Sequence, residues 1–418
     1  MTRFWHPLAD MGLVAESGEL VIERGEGARI WDEQGRSYID APAALWYCNV
    51  GYGRDEIAEA AAEQIRKIPC YSGYGDMATR PTVNLAERLA ALAPIDDARV
   101  FFTSGGAEAI ESAAKLSRRY FSLIGQPERT VLISRDRAYH GLAGFGTSLA
   151  GADAFREGLT SLVPDVVHVP WDSAGALREA IERVGPERVA AFFVEPVIGA
   201  GGVFSAPEGY FAEVREITRE AGCLLVADEV ITSFGRCGHW FASERWAIDP
   251  DLITFAKGST SGYLPLGGLI IAGHVAEPFW QPGGGVMFRH GYTYSGHATS
   301  TAASHANLDI LDREGLIARG QELESEIVDA LEPLAAHPLV AEVRSGTGAL
   351  AAVQLTEPTL ADKAALLARD HGVLTRVLAV GALQISPPLV ISRAELDEIA
   401  SGIGAALDAC HEEAAAAA

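Results

Sequence analysis

From about residue 100 onward, short apolar runs alternate with amphipathic stretches of helical length, and this rhythm constrains the fold more than any other feature of the chain. Residues 100–102, 131–134, 166–169, 189–194, 224–227, 252–255 and 266–272 read as strands. Several are apolar throughout instead of alternating, as expected of parallel strands covered by helices on both faces. Between them, 107–121, 174–184 and 210–221 carry apolar residues at helical spacing. The pattern predicts an α/β fold with a mostly parallel sheet sandwiched by helices in a large domain. After about residue 305 the texture changes to two long helical patterns, 306–319 and 322–334, a strand-like segment at 348–355, and a closing helix at 393–411. Ser392 is the expected N-cap of that helix, with Glu395 completing a capping box. These elements predict a smaller α+β domain. The expected division is an N-terminal segment, 1–46, that packs with the small domain, a large domain at 47–305 and the small domain at 306–418. The alanine-rich stretch 412–418 is expected to fray.

Composition narrows the classes of function. The chain has 418 residues, 48% of them hydrophobic, enough to build a large core. Its formal net charge of −23 repels phosphate backbones and anionic lipid, which disfavours nucleic-acid and membrane-surface roles. Five cysteines, odd in number and without a CxxC pair, read as reduced thiols. The N-terminal residues lack the apolar core of a signal peptide. Apolar runs such as 189–194 stop far short of the ~18 residues a membrane helix needs. A cytoplasmic protein is the expectation.

Familiar local signatures are missing. Residues 199–202 read GAGG with no helix start behind them, so there is no dinucleotide-binding GxGxxG. Nor is there a GxxxxGK[ST] phosphate loop, an HExxH or a GxSxG. His290, His297 and His305 fall seven and eight residues apart, a spacing that fixes no common face, and no metal is expected.

Lysine is scarce: four (Lys67, Lys115, Lys257, Lys363) against 29 arginines. Three lie in charged helical patterns and read as solvated. Lys257 instead ends the apolar run DLITFAKG and opens a loop rich in glycine and hydroxyls. Strand ends in open α/β sheets border the ligand crevice, where an apolar setting can depress an ammonium enough to make it a nucleophile. For Lys257 alone, a strand-end lysine reaching solvent is an equal alternative. A second run, CLLVADEV, delivers Asp228 and Glu229 to a strand end 29 residues earlier, about one strand–helix–strand unit. Lysine and carboxylates would then face one crevice. A buried carboxylate there needs a cation or a protonated ring nitrogen, and a Schiff-base lysine opposite a pyridinium-binding aspartate is the arrangement pyridoxal phosphate chemistry demands. TSGGAEA, between the strand at 100–102 and its helix, could cradle a phosphate on backbone amides, though most such turns only connect. Tyr139, in Tyr139-His140-Gly141, could stack on a flat ring, though a lone aromatic is usually core.

The run from Leu224 through Gly268 (LLVADEVITSFGRCGHWFASERWAIDPDLITFAKGSTSGYLPLGG) resembles the core signature of class III pyridoxal-phosphate aminotransferases, the omega-aminotransferase group. The similarity continues in WYCNVGYGRDEIAEAA, FFTSGGAEAIESAAKLSRRY, AYHGLAG, FFVEPVIGAGGV, HGYTYSGHATSTAA and ISPPLVISRAELDEI, in the family's order over most of the chain. The resemblance implies a fold-type-I transferase that binds pyridoxal 5'-phosphate in its large domain. It implies that Lys257 forms a Schiff base with the cofactor and shuttles the substrate proton. Asp228 would bind the pyridine nitrogen, Val230 and Tyr139 would cover the two ring faces, and Gly106 and Ala107 would hold the phosphate. Thr293 would reach the phosphate of a neighbouring subunit, making the active unit a homodimer with shared sites. Trp46 would line the substrate pocket, Arg376 would bind a substrate carboxylate, and Glu195 would sit near the cofactor and neutralise that arginine for substrates lacking a carboxylate. Ala107 departs from the serine frequent in the family and removes one hydroxyl contact, so weaker cofactor retention is expected. The implied reaction is ping-pong transfer of an amino group from an amine or omega-amino acid to a keto acid, pyruvate in preference to 2-oxoglutarate. An aminomutase or decarboxylase would use the same lysine, aspartate and cradle, and a non-catalytic relative would keep the fold alone.

Overall fold

The computed structural model describes residues 3–284 and 286–417. Its centre is a seven-stranded sheet of β1 (Arg99–Thr103), β2 (Val131–Arg135), β3 (Val166–Val169), β4 (Val189–Val194), β5 (Leu224–Asp228), β6 (Leu252–Phe255) and β7 (Gly267–Ile271). The strands lie in the order β1-β7-β6-β5-β4-β2-β3. Six are parallel, and β7 runs antiparallel to both neighbours. Every residue of β2, β4, β5, β6 and β7 is buried, which explains their uninterrupted apolar character. The parallel arrangement has one consequence for function: the carboxyl ends of six strands, and the start of β7, meet along a single edge.

Helices cover the sheet and extend from it: α1 (Asp55–Lys67), α2 (Arg80–Leu92), α3 (Gly106–Leu123), α4 (Ala174–Val184), α5 (Tyr210–Ala221), α6 (Ala298–Arg313), α7 (Leu316–Leu331) and α8 (Arg393–Ala417). The two helices expected at 306–319 and 322–334 form earlier, as α6 and α7. The Ser/Thr-rich first half of α6 is buried, with Thr299 donating to the Pro69 carbonyl at 2.7 Å, Thr301 to that of Ala298 at 3.0 Å and Ser304 to that of Ser259 at 2.8 Å. Gly315, at φ +65°, makes the break between the helices. Gly320 stays inside α7 because a Cβ there would lie 1.9 Å from the Gly235 carbonyl. The break expected between 319 and 322 is in fact a close packing contact.

Strands Ile22–Glu26, Arg29–Asp32 and Ser37–Asp40 form a sheet completed by Val373–Leu374, so chain from both ends meets there. A three-stranded antiparallel sheet joins Val340–Arg344, Ala351–Leu355 and Ala382–Ile385. Its middle strand is shorter than the expected 348–355, because the Gly348 N–H is drawn to Glu324 and the Ala349 N–H to the Arg236 carbonyl. The Ser392–Glu395 capping box forms, with Ser392 N–H on Glu395 at 3.0 Å and Glu395 N–H on Ser392 Oγ at 3.3 Å. The stretch at 412–417 continues α8, as alanine's helix preference allows; Ala418 lies outside the described residues. Among the described residues no helix is long and apolar enough to cross a membrane.

Candidate active site

A cavity of about 380 Å³ opens at the carboxyl edge of the main sheet. Four strands deliver polar groups to it. Asp228 ends β5, Glu195 follows β4, Lys257 stands two residues beyond β6, and the turn Ser104–Gly105–Gly106 joins β1 to α3. Tyr139 and His140 arrive from the loop after β2.

Asp228 is buried, yet its carboxyl is held below the ordinary carboxylate range. Burial pushes it upward, but a hydrogen bond and charge interaction with His140, and hydrogen bonds from Thr254 and the Val230 N–H, outweigh that. His140 Nδ1 lies 2.7 Å from Asp228 Oδ2, and an ionised carboxylate can only accept, so the proton sits on Nδ1. Thr254 Oγ1 at 2.8 Å and the Val230 N–H at 3.1 Å both donate to Oδ1. Oδ1 is then saturated while Oδ2 keeps one lone pair. An anionic acceptor with one vacancy, at the cavity wall, suits a protonated ring nitrogen.

Glu229, expected with Asp228 in the crevice, points elsewhere. Successive side chains of a strand take opposite sides, and Glu229 accepts from the N–H and hydroxyl of Ser243, at 2.9 and 2.6 Å, and from the Ala242 N–H. Its role is to brace the following loop.

Lys257 has φ +37°, an uncommon conformation for a residue with a side chain. Burial pulls its ammonium down to about 8, against opposing pulls from Asp228 and Glu195, and Arg376 lowers it further. A substantial fraction of the amine is therefore neutral near neutrality. Its Nζ lies 6.0 Å from the centre of the Trp46 ring, and Arg376 Cζ lies 5.1 Å from the same ring. Trp46 is buried behind the cavity wall rather than on it, in a strained segment where Ala43, Ala44 and Trp46 all have positive φ. Among the described residues no carboxylate pairs with the Arg376 guanidinium.

Glu195 borders the cavity as expected, and each of its oxygens accepts one backbone bond: Oε1 from the Tyr139 N–H at 3.0 Å and Oε2 from the Gly199 N–H at 3.1 Å. It is not paired with Arg376 in this conformation. Burial raises its pKa, and its two backbone contacts fix the loops that carry Tyr139 and residues 199–202.

The glycine turn offers backbone amides that could hold an anion. Gly106 and Ala107 open α3, where first-turn amides have no helical partner. A Cβ on Gly106 would lie 2.7 Å from Val230 Cγ1, so the absent side chain lets the cradle close against the residue that borders the ring space. Thr293 is exposed and does not border its own chain's cavity. His140 and Thr254 escape detection from sequence: the first sits in a tripeptide whose tyrosine drew the attention, and the second reaches Asp228 only through the β5–β6 register that pairs Asp228 with Thr254.

A flat phosphorylated pyridine aldehyde fits these walls: amides for its phosphate, an aspartate lone pair for its ring nitrogen, Val230 and Tyr139 for its faces, and a partly neutral lysine for its carbonyl. The comparisons with known proteins agree. Residues 14–407 match the family described as aminotransferase class-III. The chain is 42% identical to a probable aminotransferase of Mycobacterium tuberculosis, over 91% of this chain and 87% of that protein. It is 39% identical to putrescine–pyruvate aminotransferase of Pseudomonas aeruginosa, over 94% and 91%. An amine transaminase from an uncultivated Pseudomonas species, solved with pyridoxal phosphate bound, superposes with a TM-score of 0.92 at 33% identity, covering 98% of this chain and 99% of that one. With the fold, the cavity and these likenesses in agreement, the chain belongs to the class-III aminotransferases, the fold-type-I enzymes that move amino groups with pyridoxal 5'-phosphate.

Proposed function

We propose that this aminotransferase takes its amino group from an amine or omega-amino acid and gives it to a keto acid, pyruvate in preference to 2-oxoglutarate, in two successive half-reactions at one site. The observation that carries the reading is the Lys257–Trp46–Arg376 arrangement: a partly neutral amine and an unpaired guanidinium on one indole ring, beside the Asp228 wall. The guanidinium suits a carboxylate, as every keto-acid acceptor has. The likeness to a putrescine–pyruvate enzyme supports pyruvate.

The bound cofactor supplies an electron sink for the carbanion formed when the substrate's Cα loses a proton. The chain's own residues do the rest. Lys257, as a free amine with its lowered pKa, would take the substrate's Cα proton and hold it for return. Asp228, kept ionised by His140 and Thr254, holds the ring nitrogen protonated through the whole cycle. Val230 and Tyr139 hold the ring between them, and the amides of Gly106 and Ala107 fix the phosphate. Thr293, exposed on its own chain, serves the phosphate of a second copy, so the working unit is a homodimer. The segment 1–46 and the residues after 305 act as the smaller unit around the large domain, and the enzyme works in the cytoplasm.

Initial rates with varied amine and varied pyruvate test this on the purified holoenzyme. Parallel double-reciprocal lines, alanine formation and a higher kcat/KM for pyruvate than for 2-oxoglutarate are expected. Intersecting lines would refute the two-stage scheme; turnover without any keto acid would point to a mutase, and carbon dioxide release to a decarboxylase.

A further inference from the structure

The loop that carries Thr293 is fastened to α3, the helix whose first turn is the proposed phosphate cradle, through the His290 imidazole and the Tyr292 hydroxyl. His290 Nδ1 lies 3.0 Å from Lys115 Nζ, and His290 Nε2 lies 2.7 Å from Ser112 Oγ. The proton positions follow without choice. An ammonium only donates, so Nδ1 accepts; the ring's one proton is then on Nε2 and goes to Ser112. Ser112 in turn donates its own hydroxyl hydrogen to the Glu108 carbonyl at 2.7 Å. The chain of donors runs in one direction, from Lys115 through His290 and Ser112 to Glu108. A second ring on the same loop, Tyr292, donates to that same carbonyl at 3.2 Å. Glu108 itself grips the cradle, accepting the Ser104 N–H on its carboxylate at 2.7 Å. Phe101, on β1, stacks on the imidazole with ring centres 5.7 Å apart and planes within 21°. The ring is thus fixed in plane and in tautomer.

We infer that His290 is a positioning residue for cofactor binding: held between Lys115 and Ser112, it locks the Thr293 loop to α3 so that each chain presents Thr293 to the phosphate bound by its neighbour. This rests on the reading that Thr293 serves the second copy. The imidazole touches neither cofactor nor substrate. It acts by register, since Thr293 is three residues away on a loop whose other fastening here is Tyr292.

The test compares pyridoxal 5'-phosphate with pyridoxal, which lacks the phosphate, as ligands of the full-length protein after dialysis. His290→Phe keeps the stacking on Phe101 and removes both hydrogen bonds. It should weaken binding of pyridoxal 5'-phosphate about tenfold, the loss expected for one to two hydrogen bonds, while leaving pyridoxal within about twofold. His290→Gln can accept from Lys115 and donate to Ser112, and should recover most of the affinity. Equal weakening of both ligands, or no weakening, would overturn the inference, as would failure of His290→Gln to rescue. Thr293→Ala separates the two layers of the argument. If it weakens the phosphate form while His290→Phe does not, the loop reaches the phosphate but His290 does not position it. If Thr293→Ala is silent, the reading of a shared site fails first, and the inference falls with it.

Discussion

Lys257 should react as an amine of pKa about 8 instead of the usual 10.5. At pH 7 the neutral fraction is then about one in ten, against about one in 3,000 for an ordinary lysine, a gain of about 300-fold. The cause is burial, partly opposed by the charges of Asp228 and Glu195 and assisted by Arg376. Because only the neutral amine attacks a carbonyl, capture of a small aldehyde should rise with pH and level off above about 8. The scarcity of lysine makes the assay clean. Cofactor-free protein is exposed to aldehyde and borohydride from pH 6 to 10, and labelling at each lysine is followed by peptide mass. Lys363 is the internal control, since its ion pair with Glu413 raises its pKa. The neighbouring charges give the direction of two variants: Arg376→Leu should move the Lys257 midpoint up, and Glu195→Gln should move it down. A Lys257 profile that tracks Lys363, or variants that shift it the opposite way, would refute the electrostatic account of its nucleophilicity.

Gly106→Ala puts a Cβ 2.7 Å from Val230 Cγ1 and should cost ~1–3 kcal/mol of overpacking, read as weaker cofactor binding with a small fall in Tm; unchanged affinity would contradict the close fit of cradle and valine. Arg236 is fully buried and donates to the carbonyls of Ala349, Ser386 and Pro387 and to Asn49 Oδ1, so Arg236→Met should lower the unfolding free energy by ~3–5 kcal/mol in urea titrations, whereas a loss under ~1 kcal/mol would show these acceptors find other donors. Arg376→Leu should raise KM for carboxylate-bearing substrates by roughly 10- to 100-fold and leave simple amines nearly unchanged in the donor half-reaction; equal effects on both would remove the arginine from carboxylate recognition.

Much of the site could be read before any fold was known, and the reasons are local. A parallel strand buried on both faces must be apolar along its length, so its end is marked wherever polarity returns; Asp228 and Lys257 stand at two such ends. The glycine turn before α3 is legible for the same reason. What stayed hidden depends on relations across the sheet or between distant loops. Thr254 is one more residue of an apolar strand until the β5–β6 register sets it beside Asp228. His140 gains meaning only when the loop after β2 folds over the end of β5. The break expected between 319 and 322 falls inside α7, where Gly320 is laid against the Gly235 carbonyl.

The pair Asp228–Glu229 shows where the two kinds of information meet. Both are acids at the end of one strand, and nothing in their immediate sequence ranks them. The pleat sends them to opposite sides, and the partners found there decide their chemistry. Asp228 meets an imidazole, a hydroxyl and one amide, which keep it ionised and leave one lone pair open to the cavity. Glu229 meets the N–H and hydroxyl of Ser243, the Ala242 amide and the Thr232 hydroxyl, two donors on each oxygen, which occupy it. The acid able to take a further donor is thus distinguished by an acceptor position left vacant, since both are buried and both are bonded. Arg376 differs from Arg236 in the same way: Arg236 donates to three carbonyls and to Asn49 Oδ1, whereas among the described residues Arg376 has no carboxylate partner and lies over the Trp46 indole. Bordering the cavity, the open acceptor of Asp228 is where a donor on a ligand could bind.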